Sequence, residues 1–433
     1  SCCTYAGNPY LIDFDLLAEE GLLVPADYDG LNWGEDSSTI PYALLYTQCY
    51  EVLRIAFSNA KPDPDFDAFV EAQKDWLDDY ALYMALKFAH DGKPFTEWGR
   101  SLRRRKKEAM DQARETYQED IAFHKFIQYQ FFRQWYQLKA YANERGISII
   151  GDLPIYTAAD SVEVWAHPEL FELNVLNRPA EVAGCPPDCF SATGQLWGNP
   201  VYHWEQHRKT GYAWWIHRLG YVSKLFDMVR IDHFRGFESY YSIPAKKETA
   251  EHGTWMPGPG LELFQAAQQK LGELNILAED LGNITPQVRK LLAETGYPGM
   301  KVLQFAFDSD ADNEFLPHNY TTSHCVVYTG THDNDTLLHW AETLNREPLR
   351  FARAYLDVES RQDVPAAVVR AAWSSIAELA IAQMQDFLKA GGEGRMNLPS
   401  TLGGNWCYRT KAEQYTEKLQ RRIRRLNRTY GRK

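Results

Sequence analysis

Carboxylate side chains stand at or just after the ends of four short apolar runs, and these are the residues whose types and spacing could do chemistry. They are Asp152, Asp232, Glu279 and Asp333. Cleavage of a glycosidic bond through an oxocarbenium-like transition state needs one carboxylate as nucleophile and one carboxylic acid to protonate the leaving oxygen. Convergent carboxylates with Arg and His residues among them therefore suit glycoside chemistry or a metal site.

Metal binding is the less favoured of these two interpretations. The 12 His include no HExxH or HxH spacing, and the seven Cys include no repeated CxxC. Cys185 and Cys189 could form a zinc or disulfide pair, but two thiols alone do not complete a metal site. We therefore predict no metal site. For each carboxylate taken alone, a helix cap or a loop ion pair stays open as an alternative role.

The four carboxylates need a scaffold that brings distant parts of the chain together. From Gly146 onward, short β-branched runs alternate with helical stretches, which is typical of βα units and a parallel sheet. The predicted strands are 147–150, 228–231, 276–278, 302–307, 326–329 and 379–384. In a parallel barrel the carboxyl ends of all strands share one face, so we expect the four side chains to converge there. Upstream, apolar residues at helical spacing predict helices over 66–90 and 122–141.

Composition and charge exclude several classes of protein. The 433 residues are 45% hydrophobic and 24% charged, which argues against disordered, collagen-like and disulfide-scaffold proteins. No apolar run is long enough to span a bilayer. At a net charge of −12, nucleic acid and anionic membranes are poor partners, and the basic run 103–107 is predicted to be a solvated helix face. The odd number of cysteines and the absence of a leader at the start of the chain indicate a cytoplasmic protein.

Eight motifs, in order along the chain, resemble those of one enzyme family. They are Phe131–Trp135, Gly151–Tyr156, Ala183–Asp188, Phe190–Pro200, Arg230–Gly236, Ala278–Gly282, Thr331–Asn334 and Met396–Pro399. Together they span essentially the whole chain and resemble the 4-α-glucanotransferases, also called amylomaltases or disproportionating enzymes. The resemblance implies an α/β fold, the TIM (β/α)8-type barrel of the α-amylase superfamily with large helical insertions. We expect one catalytic barrel domain over 1–433, with a mainly helical insertion at 35–145.

The resemblance also implies roles for the three principal carboxylates. Asp232 corresponds to the nucleophile, Glu279 to the general acid/base, and Asp333 to the carboxylate that stabilises the transition state without bonding covalently. A retaining double displacement requires the first two about 5–5.5 Å apart, with Glu279 protonated at first and its pKa therefore raised. No metal or organic cofactor is implied.

Further residues are expected to bind substrate. Arg230 lies two residues before Asp232, on the same side of a strand, where it could keep the nucleophile ionised. We expect Asp152 to contact substrate and His332 to bond a sugar hydroxyl, although a core histidine stays open as the alternative. The stretch from Cys185 to Pro200 is predicted to be a long loop bordering the donor glucan.

That predicted loop carries four candidate contacts, which are Asp188, Phe190, Gln195 and Trp197. Aromatic faces there would stack on sugar rings and exclude water, which favours transfer to a sugar over hydrolysis. Plain loop packing is the alternative for Phe190 and Trp197. Cys189 stands where the family commonly has an aromatic residue, so one stacking surface is expected to be weaker.

The start of the chain departs from the family pattern. Relatives usually have further residues before Ala6-Gly7-Asn8-Pro9, so we expect six of the eight barrel strands, two unpaired edges and reduced activity. The function predicted is transfer of α-1,4-glucan segments between maltodextrins or starch, with glucose as a further acceptor. The alternatives are an α-amylase-like hydrolase and an inactive glucan-binding fragment. The sequence leaves the oligomeric state open.

Overall fold

A computed structural model describes residues 2–187 and 191–432. Its Cα positions group into two compact units. Unit 1 comprises residues 1–32, 43–276 and 283–295, and unit 2 comprises 33–42, 277–282 and 296–433. The α-helices are α1 (Phe14–Glu19), α2 (Tyr42–Leu44), α3 (Tyr50–Asn59), α4 (Pro64–Ala89), α5 (Arg100–Arg103), α6 (Lys107–Thr116), α7 (Gln118–Asn143), α8 (Val162–Ala166), α9 (Trp204–Lys209), α10 (Ala213–Leu225), α11 (Leu261–Leu271), α12 (Pro286–Thr295), α13 (Leu337–Thr343), α14 (Arg346–Leu356), α15 (Val364–Ser374), α16 (Met384–Leu388) and α17 (Glu417–Thr429).

The strands form three sheets. They are β1 (Ile150–Pro154), β2 (Glu181–Cys185), β3 (Gln195–Pro200), β4 (Met228–Asp232), β5 (Ser239–Pro244), β6 (Thr254–Pro257), β7 (Ile276–Ala278), β8 (Gly299–Val302), β9 (Cys325–Tyr328) and β10 (Leu379–Ile381). One sheet has the order β1-β4-β7, a second β10-β9-β8, and a third β3-β2-β5-β6. The pairs β1–β4, β8–β9 and β9–β10 are parallel. The third sheet is antiparallel.

The predicted strands at 228–231, 276–278 and 326–329 are confirmed to within one residue by β4, β7 and β9. Three others are shifted. The strand predicted at 147–150 begins only at Ile150 and runs to Pro154, so Asp152 lies within β1 and not after it. Ile147 is 56% exposed, whereas Leu153 is buried, and burial determines where the strand pairs.

The strand predicted at 302–307 was placed too late. β8 ends at Val302, and Leu303–Phe305 form a 3-10 turn. The strand begins at Gly299, where a Cβ would overlap the Asp280 carboxylate, so the absence of a side chain allows this close approach. The strand predicted at 379–384 is also too long, since Met384 begins α16.

The antiparallel sheet corrects the predicted loop over 185–200. β2 ends at Cys185 and β3 begins at Gln195, so Gln195 and Trp197 lie on a strand. Cys185 pairs with Gln195, and Val182 with Pro200, across an irregular register. The Gly and Pro residues of this stretch fall within strands as well as between them. They interrupt the alternation of apolar and polar residues that would otherwise predict a strand.

Both long predicted helices are confirmed. The prediction for 66–90 corresponds to α4 and that for 122–141 to α7. Asp63 caps α4 by accepting the Asp65 amide, and Pro64 occupies the first turn, where no intrahelical amide bond is needed. The two helices pack through aromatic pairs such as Phe69 with Phe132, whose ring centroids are 5.9 Å apart. The α-helices within 35–145 are α2–α7, while their description as an insertion in one barrel domain stays a prediction.

Three side chains of the basic run 103–107 are exposed, as predicted, but the run does not form one helix face, which corrects that part of the expectation. It spans the turn between α5 and α6, where Arg105 has a left-handed φ of 49°. Its guanidinium lies 4.2 Å from the Trp165 ring and donates to Asp79 at 2.6 Å. The turn points this side chain inward, where it bonds one carboxylate and covers one ring.

A buried arginine fixes the carboxyl end of β1 in unit 1. Arg218 is 1% exposed and donates to the carbonyl oxygens of Pro154 at 2.6 Å and Ile155 at 3.0 Å. A third bond, at 3.2 Å, goes to the Tyr202 hydroxyl. Pro154 is the last residue of β1 that pairs with β4, and Ile155 lies just beyond it, so the guanidinium satisfies carbonyl groups at the end of the strand.

A buried carboxylate ties the segment after β9 to α16 in unit 2. Asp386 accepts the Thr329 hydroxyl at 2.8 Å through Oδ2 and the Leu337 amide at 2.8 Å through Oδ1. Burial raises the pKa of Asp386 to about 6. The segment 329–337, which carries His332 and Asp333, is therefore held at both ends by one side chain.

His124 in α7 is a buried polar side chain, and we expect its replacement to stabilise the protein. It is 1% exposed, and neither ring nitrogen has a hydrogen-bond partner among the residues the structure describes. Burial, with a smaller contribution from Arg54, lowers the pKa of His124 to about 3. An unsatisfied buried donor costs about 1–3 kcal/mol, so His124→Phe should raise the free energy of unfolding by that order.

The effect of His124→Phe should grow at low pH. The unfolded imidazole takes up a proton below its ordinary pKa of 6.5, whereas the folded one stays neutral down to about 3. Stability is therefore lost as pH falls through this interval, by about 2 kcal/mol at pH 5, and the variant removes that loss. Urea titrations at pH 5 and pH 8 measure it, with His124→Leu as a second variant and the exposed His252→Phe as control. An equal change at both pH values would contradict the assignment.

Candidate active site

In unit 1, three predicted residues meet at the ends of β1 and β4. Asp152 lies opposite Arg230 in the strand register, and Asp232 ends β4. The Arg230 Nη1 atom lies 2.7 Å from both carboxylate oxygens of Asp152 and 3.1 Å from Oδ1 of Asp232. Arg230 is 7% exposed, while both carboxylate side chains are 40% exposed. A buried cation thus bridges two accessible carboxylates through one nitrogen atom.

Trp197 of β3 lies next to His233, the residue that follows Asp232. The Trp197 indole donates to Oε1 of Gln195 at 3.1 Å, and its ring lies edge-on to His233 with centroids 4.8 Å apart. His233 has a left-handed φ of 53°, so the chain turns sharply directly after the nucleophile candidate. Burial, with a smaller contribution from Arg235, lowers the pKa of His233 to about 3. The imidazole is therefore neutral beside Asp232.

Two predicted contacts cannot be placed. Asp188 and Phe190 lie outside the described residues, as does Cys189 between them. The described residues continue at Ser191. Its hydroxyl donates to the Gly194 carbonyl at 2.7 Å, and this bond lies in the turn that leads into β3.

Glu279 follows directly after β7 and belongs to unit 2. It is 9% exposed, and its Oε1 accepts the Leu281 amide at 2.8 Å. The neighbouring Asp280 accepts the Met300 amide at 2.6 Å, and burial raises the pKa of Asp280 to about 6. Glu279 is therefore a largely buried carboxyl on a short, anchored turn.

His332 and Asp333 lie in unit 2, in the segment after β9. The Asp333 carboxylate accepts Nδ2 of Asn397 at 2.6 Å, and the Asp333 carbonyl accepts Arg395 at 2.7 Å. The backbone amide of Asn397 donates to the His332 carbonyl at 3.1 Å. The His332 ring lies 5.1 Å from the Trp406 ring, between centroids. Backbone and side-chain bonds from one distant segment thus hold both predicted residues.

Three of these neighbours were not predicted as site residues: His233, Asn397 and Trp406. His233 and Asn397 fall within motifs recognised in the sequence, but their spacing gave no chemical role. Asn397 lies 64 positions from Asp333 along the chain. Trp406 has a left-handed φ of 60°, which no local pattern predicts for a tryptophan.

Asn397→Ala should slow the reaction while leaving substrate binding nearly intact. Asp333 is predicted to stabilise the transition state, and loss of this bond would let its carboxylate turn away; small misplacements of such a group cost up to about 100-fold in rate. We expect kcat on maltotriose to fall about 10- to 100-fold with little change in KM. Asn405→Ala is the matched control, because Asn405 bonds Leu398 and Thr401 and not the carboxylate. Equal losses in the two variants would assign Asn397 a merely structural role.

The side chains available for chemistry are carboxylates and the groups that donate hydrogen bonds to them. Among residues 2–187 and 191–432, no group of three or more His, Cys, Asp or Glu side chains could hold a metal ion. Within the same ranges, no helix combines the length and the apolar character that crossing a bilayer requires. Unit 1 presents a cation-bridged carboxylate pair, and unit 2 presents a largely buried carboxyl and an amide-bound carboxylate. Each is a part that retaining glycoside chemistry uses.

Known proteins resemble the chain over nearly its whole length. Residues 1–415 match the sequence family described as 4-alpha-glucanotransferase. The 4-alpha-glucanotransferase of Clostridium butyricum is 46% identical over 436 residues, covering 100% of this chain and 89% of that protein. That of Thermus thermophilus is 48% identical over 421 residues, covering 94% of this chain and 83% of that protein.

A solved structure matches the fold. The amylomaltase of Streptococcus agalactiae, in complex with acarbose, superposes with a TM-score of 0.97 at 40% identity, covering 100% of this chain and 88% of that one. The predicted fold class, the TIM-type barrel of the α-amylase superfamily, is thereby confirmed. The family predicted from the motifs is confirmed as well. The chain belongs to the 4-alpha-glucanotransferase family.

Proposed function

We propose that this protein moves segments of α-1,4-glucan between maltodextrins, starch and glucose by a retaining double displacement. The observation that carries the proposal is the Arg230 guanidinium, which lies within 3.1 Å of Asp232 and 2.7 Å of Asp152. A nucleophilic carboxylate must be fixed in direction, and the buried guanidinium beside Asp232 supplies that condition.

In the first half-reaction we assign Asp232 as nucleophile. Its carboxylate attacks the anomeric carbon, while Glu279 gives its proton to the leaving 4-oxygen, so that a glucan with a free 4-hydroxyl departs. Asp333 faces the positive charge that develops on the sugar ring and forms no bond to it. The Asn397 amide, 2.6 Å from Asp333, keeps that carboxylate oriented.

In the second half-reaction Glu279 takes the proton of an acceptor 4-hydroxyl, whose oxygen then displaces Asp232 from the anomeric carbon. We assign substrate contacts to Asp152, Asp188, Phe190, Gln195, Trp197, Arg230 and His332. The choice between a sugar acceptor and water depends on how dry the site stays. Trp197, packed on His233 and bonded to Gln195, is a rigid apolar surface suited to that purpose.

The setting and ligands follow from the same proposal. Acarbose, which the Streptococcus agalactiae amylomaltase binds, should compete with maltodextrin here. Cys2, Cys49, Cys325 and Cys407 are free thiols. Thiols without disulfides suit a reducing compartment, and we therefore place the protein in the cytoplasm.

Incubation with maltotriose tests the activity directly. We expect a ladder of longer maltodextrins together with glucose, at a nearly constant concentration of reducing ends, because each transfer conserves the number of glycosidic bonds. Chromatography measures the ladder, and a reducing-sugar assay measures the ends. Rising reducing ends would instead indicate a hydrolase, and acarbose-sensitive binding without products would indicate an inactive glucan-binding protein.

A further inference from the structure

The last helix carries a concentration of positive charge. Residues 417–433 contain eight Lys or Arg and one Glu, a net charge of +7 in a chain whose total is −12. Helix α17 (Glu417–Thr429) contains five of these arginines. Four of them, Arg421, Arg424, Arg425 and Arg428, line one hollow of about 400 Å³ together with Thr429. We call these four side chains the arginine row.

The arginine row and the apolar side of α17 occupy opposite faces of the helix. Leu419, Ile423, Leu426 and Tyr430 recur at helical spacing and pack against the core of unit 2. The row recurs at intervals of three and four residues on the other side, and all four side chains are exposed. The apolar face is therefore already occupied, and only the charged face remains available.

The row is poorly neutralised within the protein. Arg421 lies 3.2 Å from Glu417. Within the described part of the chain, no carboxylate oxygen comes within 4.0 Å of Arg424, Arg425 or Arg428. Like charges three and four residues apart destabilise a helix by a few tenths of a kcal/mol per pair, so this arrangement has a cost. Arg432, by contrast, is used by the fold, since it donates to the carbonyls of Trp373, Ser375 and Ala377.

The chemistry of the face restricts what it can bind. Because the apolar side is packed, α17 cannot insert into a lipid surface as an interfacial helix does. No aromatic side chain lines the hollow, so nucleic-acid bases would find no ring to stack on. A protein partner would find no apolar anchor there. Guanidinium groups in a row bind phosphate oxygens in pairs, and this mode needs none of those features.

We propose that the arginine row binds a linear chain of phosphate groups, with inorganic polyphosphate as the occupant. A thin polyanion fits along a single helix face, and each guanidinium pairs with a phosphate group. The remainder of the chain carries a net charge of −19. This negative charge repels a wide nucleic-acid duplex more strongly than a narrow polyphosphate chain. Binding relieves the repulsion among the four arginines, so the occupied helix is more stable than the free one.

Titration of the whole protein with fluorescently labelled medium-chain inorganic polyphosphate tests the proposal. We expect saturable binding. A plot of the logarithm of the association constant against the logarithm of the salt concentration should have a slope of about −3, as for four neutralised phosphates. Arg424→Glu/Arg428→Glu should weaken binding at least tenfold, and Arg424→Lys/Arg428→Lys should weaken it several-fold because bidentate pairing is lost. The control is Arg346→Glu/Arg350→Glu in α14, which changes charge equally on another exposed helix and should leave binding within about twofold.

The outcomes separate the proposal from its competitors. Helix content and glucan-transfer rate, measured for each variant, show that it is folded. Tighter binding of a single-stranded oligonucleotide or of anionic phospholipid vesicles than of polyphosphate would overturn the assignment. Equal weakening by the α14 control would show that net charge, and not the row, is responsible. Absence of binding by the unaltered protein at physiological salt would also overturn it.

Discussion

Asp232→Asn should lower glucan transfer by about four or more orders of magnitude while leaving the fold and maltodextrin binding close to normal. The amide cannot form the ester bond to the sugar, so the double displacement loses its intermediate. The substitution keeps the shape of the side chain, and the Asn oxygen can still accept a bond from the Arg230 Nη1 atom, now 3.1 Å from Oδ1. Maltotriose turnover and calorimetric titration with acarbose measure the two effects separately.

Asp227→Asn is the matched control, since Asp227 directly precedes β4, at its other end. Its Oδ2 accepts the Ile149 amide at 2.7 Å, a bond that holds the pKa of Asp227 below its usual range. The control should lose some stability and keep its turnover. If Asp232→Asn retained more than about a tenth of the turnover rate of the unaltered protein, another residue would have to be the nucleophile.

Glu279→Gln should have the second largest effect, and the size should depend on the leaving group. General acid–base catalysis contributes about 10²–10⁴-fold, so turnover of maltotriose should fall by that order. With α-maltosyl fluoride as donor, fluoride departs without a proton, and the first half-reaction should be far less impaired. The glycosyl-enzyme should then accumulate, because no base remains to activate the acceptor hydroxyl. Mass spectrometry of the quenched protein detects that species.

The pH dependence adds an independent readout for Glu279. If its carboxyl must be protonated at the start, kcat/KM for maltotriose falls on the alkaline side as that group ionises. The residual turnover of maltotriose by Glu279→Gln should lack this alkaline limb. Glu378→Gln serves as control, because Glu378 is an exposed carboxylate paired with His324 at 3.4 Å. An alkaline limb that persisted in Glu279→Gln would assign the acid to another residue.

The sequence predicted helices better than strand limits, and the reason is physical. Helices α4 and α7 are long enough for a repeating apolar stripe to outweigh local exceptions. Strands of three to six residues contain too few positions for that, and tertiary pairing decides where they begin. Thus β1 starts at Ile150, where it pairs with Met228 of β4, a partner 78 positions away.

The carboxylates of the site were recognisable, but the groups that orient them were not. Asp232 and Glu279 stand at strand ends, where type and position together suggest chemistry. Asn397 looks like an ordinary loop asparagine until folding brings its amide 2.6 Å from Asp333. Likewise, Gln195 and Trp197 meet across one strand face, in a stretch whose Gly and Pro residues suggested a loop.

The Asp386 carboxylate makes the segment carrying Asp333 part of a larger cooperative unit. Because Thr329 and Leu337 are tied to the same side chain, the intervening amides cannot be released one at a time. Opening must break both tethers together with the packing of α16, so these amides should exchange with deuterium as a single group. Mutations in the core beneath α16 would then change the mobility of the segment that carries Asp333, although the mutated residues do not contact it.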